Sequence, residues 1–196
     1  MSKDASWSVS FLTEAEARAF VQRRGRQLAE AELRKAAAAE LSTTFDVFLS
    51  HSFSDAELIA GVKIALEAEG LRVHVDWIDD RQMDRTHVTA QTAEVLRMRM
   101  RHARSLIFAT SSTSSASKWM PWELGYFDGF KPGHVAILPL VKTPVSGFEG
   151  QEYLGLYPYI EHIRFTDGPP GLAISTSATR AQPIHSFVTS GFSGGS

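Results

Sequence analysis

The sequence predicts an open α/β fold, a mostly parallel sheet with helices on both faces. Three observations carry this. Four short apolar runs, within 45–50, 71–77, 105–109 and 135–141, have the length and composition of buried strands. The stretches between them carry apolar residues at helical spacing or good helix formers. The resulting alternation of strand and helix requires right-handed crossovers and hence parallel neighbours.

Bulk properties bound the function. With 196 residues the chain suits one domain with an extension. Its 43% hydrophobic and 21% charged residues are those of a soluble globular protein. A net charge of −2 gives no reason to expect nucleic-acid or membrane binding. The lack of cysteine excludes disulfides, thiolate metal sites and cysteine nucleophiles. Residues 1–10 lack the apolar centre of a signal peptide, and no apolar run approaches the roughly 20 residues that span a bilayer. The expected compartment is the cytoplasm.

Residues 1–12 read as loose. Thr13-Glu14-Ala15-Glu16 is a capping box that opens a helix-favouring segment reaching to about Leu41. Its apolar stripe (Phe20, Val21, Leu28, Leu33) is thin and interrupted by Gly25, so the helix needs something to pack on. The domain or another subunit could supply that surface, and a helical extension of the fold is the favoured reading.

Phe45–Ser50 is the first strand, ending in the polar loop Ser50–Ser54. Ser54-Asp55-Ala56-Glu57 is a second capping box, and Leu58, Ile59, Val62, Ala65 and Leu66 form the inner stripe of the helix it opens. Gly70 is placed to end that helix. Leu71–Trp77 alternates as a strand, and 79–85 is a charged loop. A third helix starts at Thr86 or Thr89 and runs to about His102, with Val88, Val95, Leu96, Met100 and Ala103 inward. Arg97, Arg99, Arg101 and Arg104 read as a solvated basic face without a ligand. Ser105–Ala109 is the third strand and Val135–Val141 the fourth, with Pro139 placing the end of the latter off the central ladder. Residues 144–159 read as a long loop with at most a short helix, 160–165 as an edge strand, and 168–196 as a lightly packed tail.

In open α/β sheets ligands bind beyond the carboxyl ends of the strands. Three loops converge there: 50–54, 76–85 and 110–118. The third leads into Ser117-Lys118-Trp119-Met120-Pro121-Trp122-Glu123-Leu124-Gly125-Tyr126. Pro121 suits a first helical turn. Glu123 then lies in that turn, favoured by the helix dipole. With a helix start by Trp119, the indole and the carboxylate share a face. Spacing alone leaves two readings open: a site for a ligand with an aromatic end and hydroxyls, or core tryptophans beside a solvated charge.

Other chemistries find little support. No Gly-x-Gly-x-x-Gly follows the first strand, no Gly-x-x-x-x-Gly-Lys-Ser/Thr occurs, and no Gly-x-Ser-x-Gly stands between a strand and a helix as a nucleophile elbow would. The seven histidines show no i,i+4 metal pair, so no metal is expected. His51, in the first strand-end loop, reads first as a loop hydrogen-bonder. Asp76, Asp79, Asp80 and Asp84 read slightly better as a solvated loop than as a ribose or cation site.

Two motifs carry a family resemblance. Phe45-Asp46-Val47-Phe48-Leu49-Ser50-His51-Ser52 resembles the opening strand and loop of a Toll/interleukin-1 receptor (TIR) domain. Trp119-Met120-Pro121-Trp122-Glu123-Leu124-Gly125 resembles the Trp-x-x-x-Glu helix start of bacterial, NAD-cleaving TIR domains. The resemblance implies a flavodoxin-like parallel sheet of about five strands with helices on both faces over 44–166. An N-terminal helical extension (1–43) and a C-terminal tail (167–196) flank it.

The resemblance also implies cleavage of the nicotinamide–ribose bond of NAD⁺, giving ADP-ribose or a cyclic or conjugated form. Glu123 would be the catalytic residue. Trp119 would stack on a substrate ring, His51, Ser52 and Phe53 would line the pocket, Trp77 would close it, and Lys118 would meet a phosphate. NAD⁺ is then a substrate, and no cofactor is needed. Implied partners are further copies of the chain through TIR–TIR contacts and a separate effector answering the product, as in stand-alone anti-phage defence proteins. Two alternatives remain: a non-enzymatic TIR scaffold, and an enzyme like the nucleoside deoxyribosyltransferases.

Overall fold

A computed structural model describes residues 7–25, 44–52, 56–75, 89–111, 117, 119–144, 148, 150–165, 171–177 and 180–192 of the chain. Five strands form the parallel part of the sheet: β3 (Phe45–Ser50), β4 (Val73–Val75), β5 (Ala103–Thr110), β6 (Val135–Val141) and β7 (Tyr159–Phe165). They lie in the order β4-β3-β5-β6-β7, with every neighbouring pair parallel. This is the doubly wound order of flavodoxin-like sheets, which reverses direction between β3 and β5. The expected fold class is therefore present.

The strands are apolar on both faces, as parallel strands covered by helices must be. Val47 and Leu49 of β3 enter one core, and Phe48 between them enters the other. Helix α2 (Ala56–Ala68) covers the first core through Leu58, Ile59, Val62 and Leu66. It ends as expected before Gly70, whose φ of +80° suits glycine. Helices α3 (Ala90–Arg101) and α4 (Trp119–Phe130) cover the second core through Leu96, Met100, Met120, Leu124 and Phe127. The Thr89 hydroxyl caps α3 by accepting from the Thr92 N–H at 3.1 Å. The capping box at 54–57 and the inward Val88 fall outside the described residues.

The N-terminal segment differs from expectation. Residues 7–13 are not loose: β1 (Trp7–Ser10) pairs antiparallel with β7, and β2 (Leu12–Thr13) pairs parallel with β6. Strands β6 and β7 pair at Ile137 and Tyr159, and β1 and β2 pair with the parts of β7 and β6 beyond that point. Pro139 sits where β6 changes its outer neighbour from β7 to β2, while staying paired with Thr110 of β5. The ladder thus changes partner at Pro139, and the strand does not leave the sheet there.

Helix α1 (Glu14–Arg24) has the expected capping box: the Thr13 hydroxyl accepts from Glu16 N–H at 3.1 Å, and Thr13 N–H donates to Glu16 Oε2 at 2.9 Å. The helix stops at Gly25, φ +87°, and the rest of the expected segment lies outside the described residues. Ala17 and Val21 are buried against α2. The approach is so close that a Cβ on Gly61 would fall 1.9 Å from the Ala17 carbonyl oxygen. For 14–24, the reading as an extension packed on the fold is the one observed.

The lightly packed tail is corrected. Strands β8 (Gly171–Ser177) and β9 (Arg180–Pro183) extend the sheet antiparallel beyond β7, which is therefore no edge. Helix α5 (Ile184–Ser190) buries Ile184, Phe187 and Val188 in the first core. Two short apolar runs sufficed, although Gly, Pro, Ser and Thr dominate the segment. The 144–159 loop holds one short 3-10 turn, Glu152–Leu156. After it, burial and the neighbouring Asp128 push the Tyr157 phenol up to about 12, so it remains a donor to Asp128 at 3.2 Å.

The α1–α2 contact gives a direct test. Alanine favours a helix over glycine by about 1 kcal/mol, so any loss in Gly61→Ala reports the clash with Ala17. Urea denaturation should show a loss of roughly 1–3 kcal/mol, the usual cost of overpacking. A variant as stable as the native chain would mean that α1 is not seated there.

Candidate active site

The site is built where β3 ends. Ser50 is the last residue of that strand, and Glu123 is the fifth residue of α4. Both are about 1% exposed. The Ser50 hydroxyl donates to Glu123 Oε2 at 2.5 Å, joining positions 73 residues apart in sequence.

Helix α4 begins at Trp119, and its Met120 N–H donates to the Ser117 hydroxyl at 3.3 Å. Pro121 falls in the first turn, as expected. Glu123 does not: with the helix starting at Trp119, it lies one step beyond that turn. Dipole effects fade beyond the first turn. Burial and the Ser50 hydroxyl therefore shape the carboxylate's surroundings more than the helix end does.

Trp119 stands one turn before Glu123, and both belong to the buried face of α4 with Met120, Leu124 and Phe127. Its ring meets Trp122 edge-on, centroids 5.4 Å apart at 81°. The buried indole N–H has no acceptor among the described residues. His51 is 3% exposed, with Nδ1 3.2 Å from the Ser52 carbonyl oxygen. A protonated Nδ1 donates there, which fits the loop hydrogen-bonder reading. Ser52 is half-buried. Phe53, Trp77 and Lys118 lie outside the described residues.

The outer side of α4 corrects two expectations. Trp122 is only half-buried and stacks on Tyr126 at 5.7 Å and 16°. Arg97 of α3 lies over both rings, at 5.4 and 5.8 Å. Arg99 is buried. The arginine run is thus partly packed and stacked, because guanidinium planes cover aromatic faces well. Ser50 is the residue that sequence reasoning missed. Its signal was a small hydroxyl closing a strand that is otherwise buried on both faces.

The arrangement places a buried carboxylate, a hydroxyl donor and an indole together. They sit at the carboxyl end of β3, beside the reversal in strand order. A carboxylate there can accept ligand hydroxyls and stabilise positive charge. Among the described residues, no group of His, Asp and Glu could hold a metal ion, and no helix is long and apolar enough to cross a membrane.

The TIR domain family matches residues 47–171, a span that holds Ser50, Trp119 and Glu123. The chain belongs to the TIR domain family. Over 117 residues it is 56% identical to the "Probable 3' cyclic ADP-D-ribose synthase ThsB'" of Bacillus cereus (strain MSX-D12), covering 59% of this chain and 60% of that protein. Over 83 residues it is 30% identical to the "Putative cyclic ADP-D-ribose synthase TIR2" of Cytobacillus dafuensis, covering 42% of this chain and 22% of that one. The matches thus span less than two thirds of either relative's length.

If Glu123 serves the chemistry and not the fold, its charge is dispensable for folding. Glu123→Gln keeps the side chain's volume and an acceptor oxygen for Ser50. It should melt within roughly 4 °C of the native chain, about the shift that 1 kcal/mol produces at this size. A much larger fall would identify the carboxylate as a structural anchor.

Proposed function

We propose that this TIR domain cleaves the nicotinamide–ribose bond of NAD⁺ and closes the ADP-ribosyl product into a cyclic form. The observation that carries the reading is the buried Glu123 carboxylate, held by Ser50 on the same helix face as Trp119. The relatives named as cyclic ADP-D-ribose synthases support it.

The chemistry follows from the bond. As the C1′–N bond breaks, its electron pair leaves with nicotinamide, which departs neutral because the ring was cationic in NAD⁺. The ribose becomes oxocarbenium-like, as in glycoside cleavage. Glu123 beside that sugar accepts its hydroxyls and opposes the growing positive charge. A good leaving group makes strong acid catalysis unnecessary. Trp119 offers its indole to a substrate ring, while His51 and Ser52 wall the pocket from the first loop. Excluding water favours capture of C1′ by a nucleophile within the same molecule over hydrolysis. Phe53, Trp77 and Lys118 keep the pocket-lining roles that the resemblance gives them.

Assembly and biological setting belong to the same proposal. The domain self-associates, a neighbouring copy completes the pocket, and the product signals to a separate effector in anti-phage defence. Specific activity should therefore rise with protein concentration, and a flat dilution series would contradict the assembly.

Purified, concentrated protein incubated with NAD⁺ tests the reaction. The native chain should release nicotinamide, and Glu123→Ala and Glu123→Gln should lose at least about 100-fold, the scale seen when one charge-stabilising group is removed. The mass and retention of the second product distinguish cyclic from linear ADP-ribose. Equal release by folded Glu123→Ala would refute the role of the carboxylate. Turnover of deoxynucleosides in place of NAD⁺ would support the deoxyribosyltransferase alternative.

A further inference from the structure

We propose that Ser50 is a positioning residue for the reaction: its hydroxyl sets the rotation of the Glu123 carboxylate and so selects the edge presented to the ribose. This inference rests on the NAD⁺ reading above and adds to it a second residue on which turnover depends.

Glutamate's last side-chain bond joins a tetrahedral to a planar carbon. Rotation about it is broad and roughly two-fold, so a helix can place the carboxyl carbon without fixing its plane. The side chains that share the buried face of α4 with Glu123 are Trp119, Met120, Leu124 and Phe127, and apart from the Trp119 indole N–H they are apolar. The Ser50 hydroxyl supplies direction, by donating to Oε2 at 2.5 Å.

The donor stands at the end of an interior strand of the sheet. Strand β3 is paired on both sides, with Leu49 opposite Val75 of β4 and Ser50 opposite Phe108 of β5. Ser50 Oγ is therefore referenced to the central strands, while Glu123 arrives from a helix that follows the next strand, β5. The bond ties these two frames together.

A second pair makes the contrast. Ser175 Oγ donates to Glu161 Oε2 over the same 2.5 Å. That pair joins two adjacent strands, β7 and β8, and its glutamate is half-exposed. It looks like an ordinary cross-strand contact. The Ser50–Glu123 bond differs in burying both partners at the carboxyl end of the strand beside the order reversal.

The test separates the hydroxyl from the shape. Ser50→Thr and Ser50→Val add nearly the same volume, and only threonine keeps a donor. Both are compared with the native chain by melting temperature and by kcat and KM for nicotinamide release from NAD⁺. Ser50→Val should lose roughly ten- to 100-fold in kcat, the range a misplaced catalytic group produces. KM should move by less than about threefold, since the loss falls on the transition state. Ser50→Thr should recover most of the kcat. In a Glu123→Gln background, Ser50→Val should cause little further loss, because residues acting as a unit are strongly non-additive.

Equal kcat for folded Ser50→Val and the native chain overturns the inference alone. So does an equal loss in Ser50→Thr and Ser50→Val, which would point to shape. No nicotinamide release from the native chain overturns the NAD⁺ reading and this inference with it.

Discussion

The constraint on which the site depends is a buried carboxyl group. Glu123 is almost wholly removed from water, on a helix face otherwise made of Trp119, Met120, Leu124 and Phe127. Burying an ion is costly unless hydrogen bonds replace its water. The Ser50 hydroxyl supplies one such bond. A core position of this kind would be easier to fill with leucine or methionine. That the chain keeps a carboxylate there is the local conflict between stability and sequence expected at a functional site.

The sheet makes the bond possible. Strand β3 lies between β4 and β5, and its last residue, Ser50, is paired to β5. Parallel strands deliver their carboxyl ends to one edge, so the helix after β5 begins close to the end of β3. The additions to the five-stranded sheet lie elsewhere. The pair β1 and β2 fills the parting of β6 and β7, and β8, β9 and α5 extend the far side. Leu12, Leu172, Ile174 and α5 enlarge the first core, while Trp119 of the site belongs to the second. These segments thus support the sheet from the face opposite α3 and α4.

The central sheet was legible because its signals were local and mutually consistent. Phe45–Ser50 and Val135–Val141 are apolar runs of strand length, and Thr89 and Gly70 bound their helices by well-understood chemistry. That Trp119 and Glu123 share a helix face was legible from their spacing. What escaped notice depended on distant partners. Trp7–Ser10 becomes a strand because β7 offers an edge, and its alternation of apolar and polar residues is too short to announce a strand alone. The 171–190 segment hid two apolar runs in a composition that reads as loop. Ser50 is ordinary in its own strand and gains meaning only from a carboxylate 73 residues away. Glu123 was placed one step too early because Pro121 is acceptable anywhere in a first turn.

The central claim is that positive charge develops on the ribose of NAD⁺ against the Glu123 carboxylate. It is tested most directly by nicotinamide release from NAD⁺ carrying deuterium at ribose C1′, competed against unlabelled NAD⁺ with concentrated native protein. The account predicts release, with the deuterated substrate reacting measurably more slowly, as C1′ flattens toward an oxocarbenium ion. Absence of release by folded, concentrated protein, with or without an isotope, would contradict it.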